Sequence, residues 1–195
     1  PEVFAKERVD VVFHGALATK VRVDSGVEPL EDPETTQREV ARILAAINAT
    51  HATDVVLGEK DFEVLVATQF AVSGLRMECK LHSVPTVRTP DGLALSNRNA
   101  RVAVDKRDAA LALSAALTAG AHAAEHGKAK VLETARGVLD AAGVEPAYLE
   151  LRDLAMREAP VEGDARLLAA VDLGGVRLTD NVGLPLGVGF KHVEA

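Results

Sequence analysis

Gly58, Glu59, Lys60 and Asp61 follow directly on the apolar run DVVL, so three charged side chains crowd the end of a strand. A glycine lets backbone approach a ligand, a lysine supplies a mobile cation for phosphate or carboxylate, and an aspartate is a hard oxygen donor suited to Mg2+. The same four residues also suit an ordinary strand-to-helix turn, with a surface lysine and Asp61 as the helix N-cap. A second polar cluster lies in DGLALSNRN, residues 91–99, where Ser96, Asn97, Arg98 and Asn99 concentrate donors. Its arginine can grip a phosphate through two nitrogens. Alone, this stretch also reads as a polar loop entering a helix; together, the two clusters point to a shared phosphate-handling site.

Other chemistry-bearing residues carry less. His122 and His126 in HAAEH match a zinc-protease pattern and fall one helical turn apart. The alanine-rich surroundings, Gly127 next in line and the lack of a third ligand favour solvent-facing histidines near a helix C-terminus. His14, His51, His82 and His192 are isolated in sequence, although His14 follows a strand-like run. No Ser/His/Asp or Cys/His triad assembles locally, and no Walker A motif occurs. The single cysteine, Cys79, excludes an internal disulfide framework and reads as a buried thiol in the strand-like run 76–83.

Composition bounds the class. Hydrophobic residues at 48% and charged residues at 26% describe a globular chain, and with aromatics at 3% the core must be filled by Ala, Val and Leu. A net charge of −7 argues against nucleic acid or anionic membrane as a bulk partner, while leaving room for a local basic pocket. No signal peptide, lipidation motif or spanning apolar run is evident, so the chain reads as cytosolic with small-molecule partners.

The elements that would position these residues follow from periodicity. Residues 9–13 (VDVVF) read as a buried parallel strand, and 19–23 (TKVRV) as a short one. Asp32-Pro33 offers a cap followed by proline at the first helical position, and Val40, Ile43, Leu44 and Ile47 form one helical stripe. Strand 54–57, helix 62–73 stopped by Gly74, strand 77–84 and a long loop over 85–101 complete a β-α-β-α-β order. That order implies a parallel, doubly wound sheet, whose ligands bind outside the carboxyl ends of its strands. Both polar clusters sit at such ends.

The character changes near Val104. Asp105 with Asp108 can cap an Ala/Leu helix reaching about residue 125, and residues 128–142 form a second helix ended by Gly143. Three strand candidates follow in AYLELRD, RLLAAVDL and VRLTDNV, and GLPLGVG reads as a tail. The expected organisation is a partial nucleotide-binding α/β domain over 1–103 and a smaller α+β domain over 104–195.

At GEKDF, VPTVRTPDGLALSNRN, YLELRD and ARLLAAVDLGGVRLTDN the sequence resembles the pantothenate synthetase (pantoate–β-alanine ligase) family, in the same order from about residue 9 to 188. The resemblance implies a Rossmann-like nucleotidyltransferase fold, here incomplete at its N-terminus, with a C-terminal α+β domain, usually in a homodimer. It implies ATP and Mg2+ as cofactors. Pantoate is activated as pantoyl adenylate with loss of pyrophosphate, and β-alanine then displaces AMP. By position, Gly58, Glu59, Lys60 and Asp61 would line the ATP site, with Lys60 on phosphate and Asp61 near the metal. Val87 would meet adenine through its backbone. Leu95, Ser96, Asn97 and Arg98 would form the second phosphate loop, and Lys60, Ser96 and Arg98 are the implied catalytic set.

The sequence also departs from that pattern. No H-x-G-H occurs in the chain, although the family carries such a loop upstream, and the family's HFxGV segment has no counterpart. Val64 stands where the family has a pantoate-binding glutamine, so this position cannot hydrogen-bond a hydroxy acid. The first such glutamine is missing too, and the phosphate loop reads Ser-Asn-Arg-Asn instead of Ser-Ser-Arg-Asn. The missing start fits either a fragment of a longer protein or a short paralogue; Val64 and the internal deletion favour divergence. Without the family's first strand the sheet should expose apolar edge, so a homo-oligomer is expected.

Overall fold

A computed structural model of the chain describes residues 2–15, 17 and 19–189. Chain order runs α1 (Glu2–Lys6), α2 (Pro33–Thr50), β1 (Asp54–Gly58), α3 (Phe62–Gly74), β2 (Lys80–Val84), α4 (Arg107–His122), α5 (Gly127–Ala141), β3 (Pro146–Arg152), β4 (Gly163–Leu173) and β5 (Val176–Leu186). The architecture is mixed α/β, with β1 and β2 in a parallel sheet and β3-β4-β5 in an antiparallel one.

The parallel pair supplies the frame for both polar clusters. Its register runs from Asp54 opposite Lys80 to Gly58 opposite Val84, so the two strands end flush. The segments leaving them, 59–61 and 85–98, therefore emerge side by side. Helix α2 starts as its sequence dictates: Asp32 caps it by accepting from the Thr35 amide at 2.9 Å, and proline occupies the first turn. Its stripe of Val40, Leu44 and Ile47 is buried against Ala67, Ala71 and Val72 of α3, with Ile43 half-buried beside them.

The larger core lies between α4, α5 and the antiparallel sheet, with Leu113, Leu117, Leu139, Leu151 and Leu167 fully buried. Helix α4 approaches β4 closely at Gly120, where an added Cβ would stand 2.7 Å from Leu167 Cδ2 and 3.1 Å from the Val131 carbonyl oxygen. A third, smaller cluster joins Phe62 and Val66 of α3 to Leu168 of β4 and to Met156, tying the two sheets' layers together.

Several expectations need correction. Residues 9–13 form no strand: Val11 and Phe13 are 81% and 72% exposed. An apolar run becomes a buried strand only where neighbours pair with its backbone, and among the described residues no strand pairs with this one. Residues 19–23 are likewise irregular, although the Val23 amide donates to the Gln37 carbonyl at 3.2 Å. The second strand starts at Lys80, leaving Cys79 half-buried just before it. Helix α4 begins at Arg107 without a side-chain cap, so Asp105 and Asp108 do not cap it, and it ends at His122. The stretch read as a tail is strand in its first part, because Gly183 to Leu186 pair with β4.

Candidate functional site

The carboxyl end of β1 passes into a single 3-10 turn, Glu59–Asp61, before α3 begins. Asp61 holds the N-cap position of α3 yet makes no capping hydrogen bond with its side chain. Its carboxylate therefore remains exposed at the mouth of the sheet, within 3.4 Å of Lys60 Nζ. Lys60 is mostly enclosed, its side chain 17% exposed, and its Nζ also lies 3.5 Å from Thr179 Oγ1 of β5. Gly58 leaves open space above its backbone: a Cβ built there meets nothing within 4 Å.

The loop after β2 folds back as a hairpin. Arg88 and Ala94 form a bridge, and the Leu95 amide donates to the Val87 carbonyl at 2.9 Å. Asp91, at the tip, has its carboxyl held below the usual range by the Thr89 hydroxyl and by Arg107. The hairpin delivers Ser96 to the N-cap of the 3-10 helix Asn97–Arg101, where its Oγ accepts from the Arg98 amide at 3.2 Å. That bond uses a lone pair and leaves the hydroxyl proton available. Asn97 and Arg98 point to solvent, the latter with one guanidinium nitrogen 3.4 Å from the Arg177 carbonyl.

The structure brings the two clusters together. Lys60, Asp61, Leu95, Ser96, Asn97 and Arg98 line one open cavity of ≈ 460 Å³. A second cavity, of ≈ 380 Å³, adjoins it through Lys60, Asp61 and Arg98 and runs between α2, α3 and β5. Its wall includes Gly58, Ile43, Leu57, Leu65 and Leu168, with the Thr179 hydroxyl beside them, while the Thr35 and Thr36 hydroxyls donate to Asp32 and Glu63. Val64 is part of that wall, half-buried against the α2–α3 core.

Two expected residues stand apart. The Glu59 carboxylate is engaged elsewhere, accepting from Arg166 at 3.1 Å and from Ser83 at 3.0 Å. Val87 is 65% exposed and lines neither cavity. His122 ends α4 while His126 lies in the separate 3-10 turn Ala124–His126, its Nδ1 3.7 Å from Glu125 Oε1. His82 pairs with Asp54 at 2.8 Å on the exposed face of the parallel sheet, and that bond lowers the Asp54 pKa. His192 lies outside the described residues.

The larger surprise is a polar hub on β5, at the end of the ARLLAAVDLGGVRLTDN stretch, to whose Asp-Asn pair no role was assigned. Asp180 is buried and accepts two bonds from Arg88, at 2.6 and 3.0 Å, one from Ser114 Oγ at 3.0 Å and one from the Asn181 amide at 2.8 Å. Asn181, also buried, donates through Nδ2 to the carbonyls of Glu59 and Lys60 at 2.9 and 2.8 Å, and accepts from Arg166 at 2.6 Å. Arg166 also stacks over the Phe62 ring at 4.1 Å. Asp and Asn are poorly suited to strands, so their adjacency within a strand was a local signal of a special role.

Further out, Glu63 at the start of α3 is buried with its carboxylate satisfied by the amides of Leu30 and Glu31 and by Thr36 Oγ1, at 2.9, 3.1 and 2.8 Å. Glu31 in turn forks with Arg177 at 2.8 and 3.0 Å. Burial, reinforced by the Glu31 charge, pushes the Tyr148 hydroxyl well above its ordinary range.

Cations outside the carboxyl ends of adjacent parallel strands equip an α/β protein to hold an anion, and the exposed Asp61 carboxylate beside them supplies an oxygen ligand for a cation. Comparison narrows that class. A family model described as pantoate–β-alanine ligase matches residues 2–183, and the chain belongs to that family. It is 48% identical over 159 residues to a pantothenate synthetase of Corynebacterium jeikeium, covering 79% of this chain and 52% of the relative. It is 45% identical over 152 residues to that of Saccharopolyspora erythraea, covering 76% and 48%. The chain thus spans about half the length of the curated relatives it matches. Among solved structures, pantothenate synthetase from Thermus thermophilus superposes with a TM-score of 0.76 at 27% identity, over 85% of this chain and 63% of that one. The pantoate–β-alanine ligase of Francisella tularensis shares the fold at a TM-score of 0.63 and 21% identity, over 93% and 67%.

Proposed function

We propose that this chain takes part in the ATP-dependent condensation of pantoate with β-alanine, with the nucleotide's phosphates held between Lys60 and the Ser96–Arg98 loop. The observation that carries the reading is the convergence of Lys60, Asp61, Ser96 and Arg98 on one open cavity beside strand ends that finish flush. In the first step a pantoate carboxylate oxygen attacks the α-phosphorus while the bond to the bridging oxygen breaks, releasing pyrophosphate. The amine of β-alanine then attacks the acyl carbon, AMP departs, and the amine's proton passes to solvent. No protein nucleophile is needed, and catalysis reduces to positioning and charge neutralisation. Lys60 and Arg98 would supply the positive charge, the Ser96 hydroxyl one donor, and the Gly58 backbone close approach.

For Mg2+ the donor set fits only as a shared site. Asp61 is the sole carboxylate lining the open cavity, and no group of three metal-binding side chains occurs among the described residues. A Mg2+ that keeps several waters and borrows phosphate oxygens needs no more than one or two carboxylates. Asp61 would hold the ion, which when bound offsets the phosphates' charge.

The reading includes a division of the chain at residue 104 and a cytosolic setting. Among the described residues no helix is long and apolar enough to cross a membrane. A second reading concerns the acid. Val64, Ile43, Leu57 and Leu65 give the inner cavity an apolar wall, which favours a more aliphatic carboxylate than pantoate. A coupled assay for AMP and pyrophosphate tests both. Release dependent on pantoate and β-alanine supports the first reading, and release only with aliphatic acids supports the second. Binding of Mg·ATP without turnover for any acid would leave a nucleotide-binding homologue in place of an enzyme.

A further inference from the structure

We propose that Asp180 and Asn181 are positioning residues that fix the distance between the two phosphate-gripping segments, and that nucleotide affinity depends on this pair; the affinity part rests on the function proposed above. Successive side chains on a strand point to opposite faces, so two neighbours can serve two different clients. Asn181 serves the turn after β1. Its single amide nitrogen bridges the carbonyls of Glu59 and Lys60, fixing the peptide from which the Lys60 side chain springs. Arg166 locks that amide's orientation by donating to its oxygen at 2.6 Å, and the same guanidinium holds the Glu59 carboxylate.

Asp180 serves the other segment. Its buried carboxylate takes both terminal nitrogens of Arg88, which stands at the base of the hairpin opposite Ala94. Arg88 also donates to the Gly92 carbonyl at 3.2 Å, so the ion pair grips the hairpin on both arms. The hairpin ends at Ser96, and Asn99 ties back to the Ala94 carbonyl at 2.8 Å. The Asn181 backbone N–H, donating to Asp180 Oδ1 at 2.8 Å, links the two anchors through the strand's main chain. The lining of the open cavity omits both side chains, although both reach the wall of the adjoining inner cavity. Their effect on phosphates in the open cavity therefore passes through Lys60, Ser96 and Arg98.

The test compares Asn181→Asp, which removes both donors while keeping an acceptor for Arg166, and Asp180→Asn, which removes the negative charge that pairs with Arg88. Leu151→Ala, a truncation in the core on β3 outside both segments, serves as the control. Amide hydrogen exchange in the free chain should rise about tenfold over 59–63 for Asn181→Asp and over 87–99 for Asp180→Asn, the change expected for losing roughly one net hydrogen bond. Protection across β3 and β4 should hold. Leu151→Ala should give the reverse pattern. Calorimetric affinity for tripolyphosphate should fall about tenfold in both hub variants and stay unchanged in the control. Uniformly faster exchange over β3 to β5, or unchanged exchange in both segments, overturns the proposal. A parent chain that binds neither tripolyphosphate nor Mg·ATP removes the nucleotide reading, while the exchange pattern still decides the positioning claim.

Discussion

At Gly58 the backbone sits at φ −75°, a conformation open to any residue, and a Cβ there would touch no protein atom within 4 Å. Neither strain nor packing inside the chain demands glycine, and the space above it is open to whatever approaches the strand end. Gly58→Ala should accordingly leave the urea denaturation midpoint nearly unchanged, within about 0.5 kcal/mol of stability. Titration calorimetry should nonetheless find tripolyphosphate or Mg·ATP bound about tenfold more weakly, since one methyl occupies the approach. Unchanged affinity would mean that ligands do not use this face. The meeting of Lys60 and Asp61 with Ser96 to Arg98 was legible in sequence because both clusters leave neighbouring strand ends, although each alone also suited an ordinary turn or polar loop. Glu59 was not, because nothing local reveals that Arg166, more than a hundred residues away, claims its carboxylate.

Strands and helices were legible where their own residues decide them. The cap at Asp32, the stripe on α2 and the apolar β1 need no distant partner to be recognised. Residues 9–13 misled because an apolar run states a preference for burial without naming what will cover it. Strand β3 illustrates the opposite case, a tyrosine whose properties come from its neighbours. Tyr148 is half-buried beside Glu31 and under Arg177, whose guanidinium lies 5.7 Å from the ring centroid. Its pKa is raised on folding, so the stabilising contribution is present below the unfolded value of about 10 and is lost as pH climbs beyond it. Denaturation midpoints measured from pH 9 to 11 should fall more steeply for the parent chain than for Tyr148→Phe. Parallel slopes would show that the ring ionises as freely in the folded state as in the unfolded.

For the molecule as a whole, the parallel sheet presents an unusual surface. Val56 is 62% and Val84 44% exposed on a pair of strands that most folds would flank with others, and Val11 and Phe13 add to the uncovered apolar area. Light scattering at micromolar concentration should find a mass above that of one 20.5 kDa chain, because such a face favours self-association. A strictly monomeric species would count against that expectation. The link between layers was invisible in sequence for the same reason as the hub: Phe62, Val66, Met156 and Leu168 meet only after the chain has closed on itself.

The close approach at Gly120 has a reach of its own. Ser114, which donates to Asp180, lies six residues earlier on the same rigid helix. A methyl at position 120 would have to displace Leu167, itself fully buried, or lift α4 from the sheet by tenths of an ångström. Lifting it would draw Ser114 away from the ion pair beneath the hairpin. The hydrogen atom at one helix position thus acts as a shim, setting from a distance how tightly the ligand-facing loop is seated.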